Sequence, residues 1–134
     1  MNIVVMGQKG AGKSTVGAEL ARRLGLPVLD TDAAVEDLHE SRTGRRLSCR
    51  EIFRQEGEAV FRGLEREVAA AAAERDFTVL ITGGGLMLDP ESRRALRRNA
   101  ILTYLHAAPE TLWERATRRG LPPWLEGEDG PRRF

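Results

Sequence analysis

Apolar and polar positions along the chain alternate between two periods, and each change of period marks an element. Residues 3–6, Ile-Val-Val-Met, form a short unbroken apolar run of the kind that a strand covered on both faces requires. From residue 14 the spacing turns helical, with Val16, Leu20, Ala21 and Leu24 on one face, Glu19, Arg22 and Arg23 on the other, and Gly25 placed to end the helix. Residues 26–30 predict a second short strand, and residues 33–43 an amphipathic helix through Val35 and Leu38 up to Gly44. Ser48 with Glu51 three residues on is a capping box opening a helix over 49–55. A long helix follows from Glu58 to about Arg75, burying Phe61, Leu64, Val68 and either Ala71 or Ala72, and its alanine run 69–73 suits close packing on a sheet. Residues 77–82 predict a third, nearly all-apolar strand. Asp89-Pro90 opens a helix to about Arg98, residues 101–105 form a fourth strand, and Pro109 starts a helix to Arg119. Residues 121–131 carry too many prolines and glycines for a regular helix and are expected to form a mobile flap.

Strands alternating with helices predict an α/β fold with a mostly parallel sheet flanked by helices. At 134 residues the chain is long enough for one core and too short for two, so residues 1–134 are expected to form a single domain. Composition changes this picture little: 41% apolar and 31% charged residues are ordinary for a soluble protein. The 21 Lys and Arg nearly balance the 20 Asp and Glu, which removes any global field toward nucleic acid. Arginines gather at 93–98 and 115–133, but acids are interspersed, so these stretches are taken as solvated surface. One cysteine, Cys49, allows neither an internal disulfide nor a cysteine zinc site, and a reducing cytoplasm follows. Neither a signal peptide nor an apolar run of membrane-spanning length is present, so no membrane partner is expected. His39, in mid-helix, is expected to be exposed and unpartnered, and His106 to be a structural loop residue.

Candidate chemistry begins where the first strand meets the first helix. Gly7-Gln8-Lys9-Gly10-Ala11-Gly12-Lys13-Ser14, followed by Thr15, fits the phosphate-cradling pattern G-x-x-x-x-G-K-S/T, in the strand-loop-helix setting that the pattern requires. Glycines there let backbone N–H groups approach an anion, and the positive end of the following helix faces the same point. Lys13 suits the β- and γ-phosphates of a nucleoside triphosphate, and the Ser14 hydroxyl suits the Mg²⁺ that bridges them.

Asp30 and Asp32 follow at the carboxyl end of the second strand, the edge at which open parallel sheets bind ligands. Beside a phosphate loop they suit one carboxylate near the Mg²⁺ shell and one able to accept the proton of an attacking hydroxyl. Asp32 also fits as the N-cap of a helix starting near Ala33. Glu58, Arg62 and Glu65 lie at i, i+4 and i+7 of the long helix; on spacing alone they are a surface ion-pair row, whereas the same Arg facing a crevice would grip a carboxylate with both arms. Gly83-Gly84-Gly85 at the end of the third strand suggests that something approaches bare backbone there. Arg118 and Arg119, at the base of the flap, are placed to reach a triphosphate when it closes.

Together, the loop at 7–15, Asp30-Thr31-Asp32, the run Glu51-Ile52-Phe53 with Glu56-Gly57-Glu58 and Phe61-Arg62, the triple glycine and the flap make the chain resemble the shikimate kinase family of P-loop kinases over nearly its whole length. The resemblance implies a three-layer P-loop fold with sheet order 2-3-1-4-5, and ATP-dependent phosphorylation of shikimate to shikimate 3-phosphate in aromatic amino-acid biosynthesis. It assigns ATP to Gly10, Ala11, Gly12, Lys13, Ser14 and Thr15, and Mg²⁺ to Ser14 and Asp30. Asp30 would alternatively face the reacting hydroxyl. Asp32 would hold the acceptor's hydroxyls, while Arg62, supported by Glu65 and helped by backbone at Gly83, Gly84 and Gly85, would bind its carboxylate. That reverses the surface reading of the long helix. Arg118 or Arg119 would neutralise the transferring phosphate. Residues 31–75 become the acceptor-binding segment and 118–131 the lid.

Three departures from the family pattern stand out. The segment 36–48 is longer than usual, Arg119-Gly120-Leu121-Pro122-Pro123-Trp124 stands where Arg-Pro-Leu-Leu is usual, and the chain ends at Phe134, before the fifth strand. The expectation is a truncated form, a monomer whose fourth strand is left as an edge open to self-association. Two alternatives remain: a gluconate-type kinase acting on another hydroxy acid, and a nucleotide-binding module without catalysis.

Overall fold

Four apolar runs become four parallel strands. In the computed structural model, which describes residues 1–7 and 12–105, the order along the chain is β1 (Asn2–Gly7), α1 (Lys13–Leu24), β2 (Val28–Asp30), α2 (Thr31–Thr43), α3 (Cys49–Glu56), α4 (Glu58–Ala73), β3 (Val79–Ile81), a 3-10 turn (Leu86–Leu88), α5 (Pro90–Arg97) and β4 (Ala100–Leu105). The strands lie in the order β2-β3-β1-β4, with Val4 of β1 opposite Leu80 of β3 and Leu102 of β4. Gly10, Ala11, His106, the helix expected from Pro109, Arg118, Arg119 and the 121–131 segment lie outside the described residues. No helix among the described residues is long and apolar enough to cross a membrane.

Successive side chains of a strand point to opposite faces, so neighbours on β1 serve different layers. Val5 joins Ala21 of α1 and Val79 on one face, while Val4 joins Ala69 and Ala72 of α4, Leu80, Leu86, Met87 and Leu96 of α5 on the other. A third cluster, Val35, Leu47, Ile52, Phe61, Leu64 and Val68, binds α2 and α3 to α4, with the Phe53 and Phe61 rings edge to face at 5.8 Å.

Four local expectations are corrected by packing. Val16 and Leu24 are exposed; of the predicted face Ala21 is buried and Leu20 packs beside it, and Gly17 joins them against the sheet. The approach is so close that a Cβ on Gly17 would lie 2.7 Å from Ile81 Cγ1, so only the smallest residue fits. β3 is limited to three residues, because Phe77, at φ +51°, turns the chain before the strand begins. The N-cap of α2 is Asp30 rather than Asp32: its Oδ1 accepts from the N–H of Asp32 at 2.9 Å and of Ala33 at 3.3 Å. His39 is buried, with Nε2 2.7 Å from Glu56 Oε2 and Nδ1 3.4 Å from Thr43 Oγ1, because the end of α3 folds back over α2.

Other end signals are realised as read. Ser48 Oγ accepts from Glu51 N–H and Glu51 Oε1 from Ser48 N–H, both at 3.1 Å, completing the capping box. Asp89 caps α5, its Oδ2 accepting from Ser92 N–H at 2.9 Å, while Arg66 on α4 donates to its Oδ1 at 3.0 Å. The Arg66 guanidinium and the cap bond hold the Asp89 carboxyl at about 2. A carboxyl lowered by folding stabilises above its ordinary value and loses that contribution as pH falls through the folded one. Asp89→Asn keeps an acceptor at the cap but loses the charge, so it is expected to cost about 1 kcal/mol at neutral pH. The gap from wild type should begin to close below about pH 4 and be mostly gone near pH 2, which urea melts across the acid range would follow; a gap unchanged near pH 2 would mean that charge is not its source.

Candidate active site

β1 ends in Gly7, whose φ of +146° and whose absent side chain both matter, since a Cβ would lie 2.7 Å from the Leu105 carbonyl oxygen of β4. Lys13 Nζ donates to the Gly7 carbonyl at 2.7 Å, bridging the two described ends of the loop. Gly12, at φ +92°, caps α1 without a side-chain bond, and Ser14 and Thr15 lie exposed in the first turn. The N-terminus of α1 therefore offers amides, a helix dipole, an ammonium group and a hydroxyl at one place.

Across the sheet, β2 and β3 end side by side, with Asp30 opposite Ile81. Thr31, fully buried, accepts the Gly83 N–H on its Oγ1 at 2.9 Å and so fixes the start of the glycine turn to the start of α2. What approaches that bare backbone is the chain's own polar side chains. A Cβ on Gly83 would come within 2.9 Å of Asp32 Cγ, and one on Gly85 within 3.0 Å of Arg62 Cζ. Gly84 between them is half-buried.

Arg62 is no member of a surface row. Its side chain is 22% exposed and its Nη1 donates at 2.6 Å to Glu65 Oε1, whose side chain is 4% exposed, while Glu58 stands farther off at 3.8 Å. The guanidinium also lies over the Phe61 ring, 5.5 Å from its centre. Burial pushes the Glu65 carboxyl up, and the bond and charge of Arg62 pull it back. The fold thus brings Asp32, Arg62, Glu65 and the three glycines to one place. Asp30 adjoins them at the end of β2, with both of its cap bonds on Oδ1.

Three contributors escaped the sequence reading. Thr31 was passed over between two aspartates, although a hydroxyl at a strand end facing a glycine turn is a natural anchor. Cys49 donates its S–H to the Asp32 carbonyl at 3.4 Å and its N–H to Glu36 at 2.9 Å. Burial first, and then the carboxylates of Asp32, Glu36 and Glu65, push its thiol up, so it is a neutral donor rather than a nucleophile. His39 ties α2 to the end of α3 and left no signal, because its partner is 17 residues away.

The glycine turn yields a direct test. Gly85→Ala pushes the Arg62 guanidinium aside, so KM for a carboxylate acceptor should rise on the order of tenfold while KM for ATP stays put. Steady-state kinetics in both substrates would show it, and equal effects on both would place the glycine's role elsewhere.

The residues present fit a magnesium nucleotide. Gly7, Gly12 and Lys13 suit phosphate, and the Ser14 hydroxyl and Asp30 carboxylate are hard oxygen donors of the few-ligand kind that Mg²⁺ takes from protein.

Known proteins resemble this chain in both sequence and shape. A family model described as shikimate kinase matches residues 9–133. A shikimate kinase from Symbiobacterium thermophilum is 48% identical over 131 residues, which is 96% of this chain and 72% of the relative. The solved structure of a shikimate kinase from Acinetobacter baumannii in complex with shikimate matches with a TM-score of 0.84 at 36% identity, over 98% of this chain and 70% of that one. A gluconokinase from Sinorhizobium meliloti matches less well, with a TM-score of 0.55 at 25% identity over 91% of this chain and 67% of that one.

Proposed function

Since the chain belongs to the shikimate kinase family, we propose that it transfers the γ-phosphoryl group of ATP to the 3-hydroxyl of shikimate, as a kinase of the cytoplasm. The observation that carries the acceptor half of this reading is the Arg62–Glu65 pair set against bare backbone at Gly85. A half-buried guanidinium beside a glycine floor has a planar fork ready for a carboxylate, and its buried partner Glu65 holds it in place. Asp32, against Gly83, takes the hydroxyls of the acceptor and orients the reacting one. Its carboxylate is a short step from the proton released when the hydroxyl oxygen bonds to phosphorus and the bond to ADP breaks.

On the donor side, Lys13 moves from the Gly7 carbonyl to the β- and γ-phosphates, and the first turn of α1 holds the phosphate oxygens by its amides. Ser14 and Asp30 would hold Mg²⁺ directly and through its outer shell; when bound, that ion neutralises charge building on the phosphates. Gly10, Ala11 and Thr15 complete the phosphate grip, and Arg118 or Arg119 meets the transferring group in the closed enzyme. For these positions the family resemblance is the support.

A coupled assay of ADP release with shikimate, gluconate and nucleoside monophosphates as acceptors tests the reading. Turnover with shikimate at least about a hundredfold above the others is expected, since a site whose polar groups are placed for one acceptor's hydroxyls leaves them unpaired with another. Preference for gluconate would assign a different acceptor. Nucleotide-induced stabilisation without turnover on any acceptor would leave a binding module.

A further inference from the structure

Helix α5 carries charge that the phosphoryl-transfer site does not use. Its sequence places Glu91 beside Arg93, Arg94 and Arg97, with Arg98 next, so that along the chain the two signs look mixed. The fold separates them. Arg66 of α4 draws off both acids of this segment, bonding Asp89 at 3.0 Å and standing 3.7 Å from Glu91. Arg93, Arg94, Arg97 and Arg98 are exposed, and none has a carboxylate partner among the described residues.

Ser92 and Leu96 anchor the helix to the core. Arg93 then lies one turn from Arg97, and Arg94 one turn from Arg98, in two adjacent rows with a rise of about 5.4 Å per turn. With Pro90 they line an open cleft of about 460 Å³. The negative end of a helix attracts cations in its last turn, which accounts for Arg94 and Arg97 and for Arg98 at the C-cap. It does not account for Arg93, and like charges at i, i+4 repel. An anion shared among these guanidinium groups would relieve that repulsion.

We propose that this cleft binds a compact oligophosphate, at a site distinct from the loop that holds ATP. Guanidinium forks match phosphate oxygens in pairs, and a one-turn spacing matches groups a few ångströms apart along a phosphate chain. The size is that of a small-molecule site. A nucleic-acid polymer is less well served, because a formal net charge of +1 provides no field beyond the cleft to gather it.

The test titrates inorganic triphosphate into full-length Lys13→Ala protein and follows the arginine Nε–H signals by NMR, so that the ATP loop does not dominate the readout. Saturating shifts in the signals of Arg93, Arg94, Arg97 and Arg98 are expected, with a Kd below about 1 mM at low salt. Arg94→Glu with Arg98→Glu should weaken binding at least about tenfold, and Arg93→Gln with Arg97→Gln should weaken it too. The same pairs placed in the otherwise wild-type chain should leave kcat/KM for ATP and shikimate unchanged. The proposal is overturned if no saturable shift appears, if the Glu pair binds as tightly as its parent, or if a single-stranded oligonucleotide saturates the same signals more tightly than triphosphate.

Discussion

Lys13→Ala is expected to lower kcat about a thousandfold while leaving KM for the acceptor within a factor of about two. The ammonium is the one side-chain cation among the described residues of the loop, and phosphoryl transfer depends on charge placed where it develops rather than on covalent help. In the free protein Lys13 Nζ donates to the Gly7 carbonyl at 2.7 Å. Deleting it returns that carbonyl to water at a loop, so the folding cost should stay within about 1 kcal/mol. Activity and stability are thereby separable: a coupled assay reads the first and a thermal melt the second. A variant that melts like wild type yet keeps more than about a tenth of its activity would remove Lys13 from the reaction.

Arg62→Ala carries a different signature, because here activity and stability fall together. KM for shikimate should rise about a hundredfold through loss of the paired contact to its carboxylate, with KM for ATP unchanged. The same change strands Glu65, whose side chain is 4% exposed, without the guanidinium that offsets its burial. Breaking a buried pair from one side costs about 3 kcal/mol. Burial already pushes the Glu65 carboxyl up, so its protonated form is the one the fold favours, and the stability gap from wild type should shrink as pH falls through the carboxylate range. Arg62→Lys keeps the charge but not the fork, and should recover most of the stability and little of the acceptor affinity. An unchanged KM for shikimate in Arg62→Ala would leave the arginine a purely structural role.

Periodicity carried the architecture well. Short apolar stretches located the four described strands, and chain-local signals such as the Ser48 capping box and the Asp89-Pro90 start located helix ends, since their partners lie within four residues. The same period misjudged Val16 and Leu24 of α1 while naming Ala21 and Leu20 rightly, because it weighs apolar size and the helix seats Gly17 against Ile81. Asp30 and Asp32 were legible as a pair, but which of them caps α2 depends on where the strand stops, something a three-residue strand hardly announces. Spacing left Arg62 undecided, and only the family resemblance inverted the surface reading; the fold supplies the physical reason in the bare backbone of Gly85 on one side and buried Glu65 on the other. The His39–Glu56 pair was out of reach, because contacts between helices leave no period.

Register in the sheet has a consequence for the length scale of the candidate site. Asp30 stands opposite Ile81 and Ile81 opposite Val5, so the strand ends that lead to Asp32, to the glycine turn and to the glycine loop after β1 lie abreast. Neighbouring strands are about 4.8 Å apart, and two steps span about 10 Å. The offset between the end of β1 and the end of β2 is therefore ruled off by peptide hydrogen bonds, a spacing that no side-chain substitution can rescale. Loops and helices choose which side chains are presented, while the backbone acts as a caliper that fixes how far apart their starting points stand.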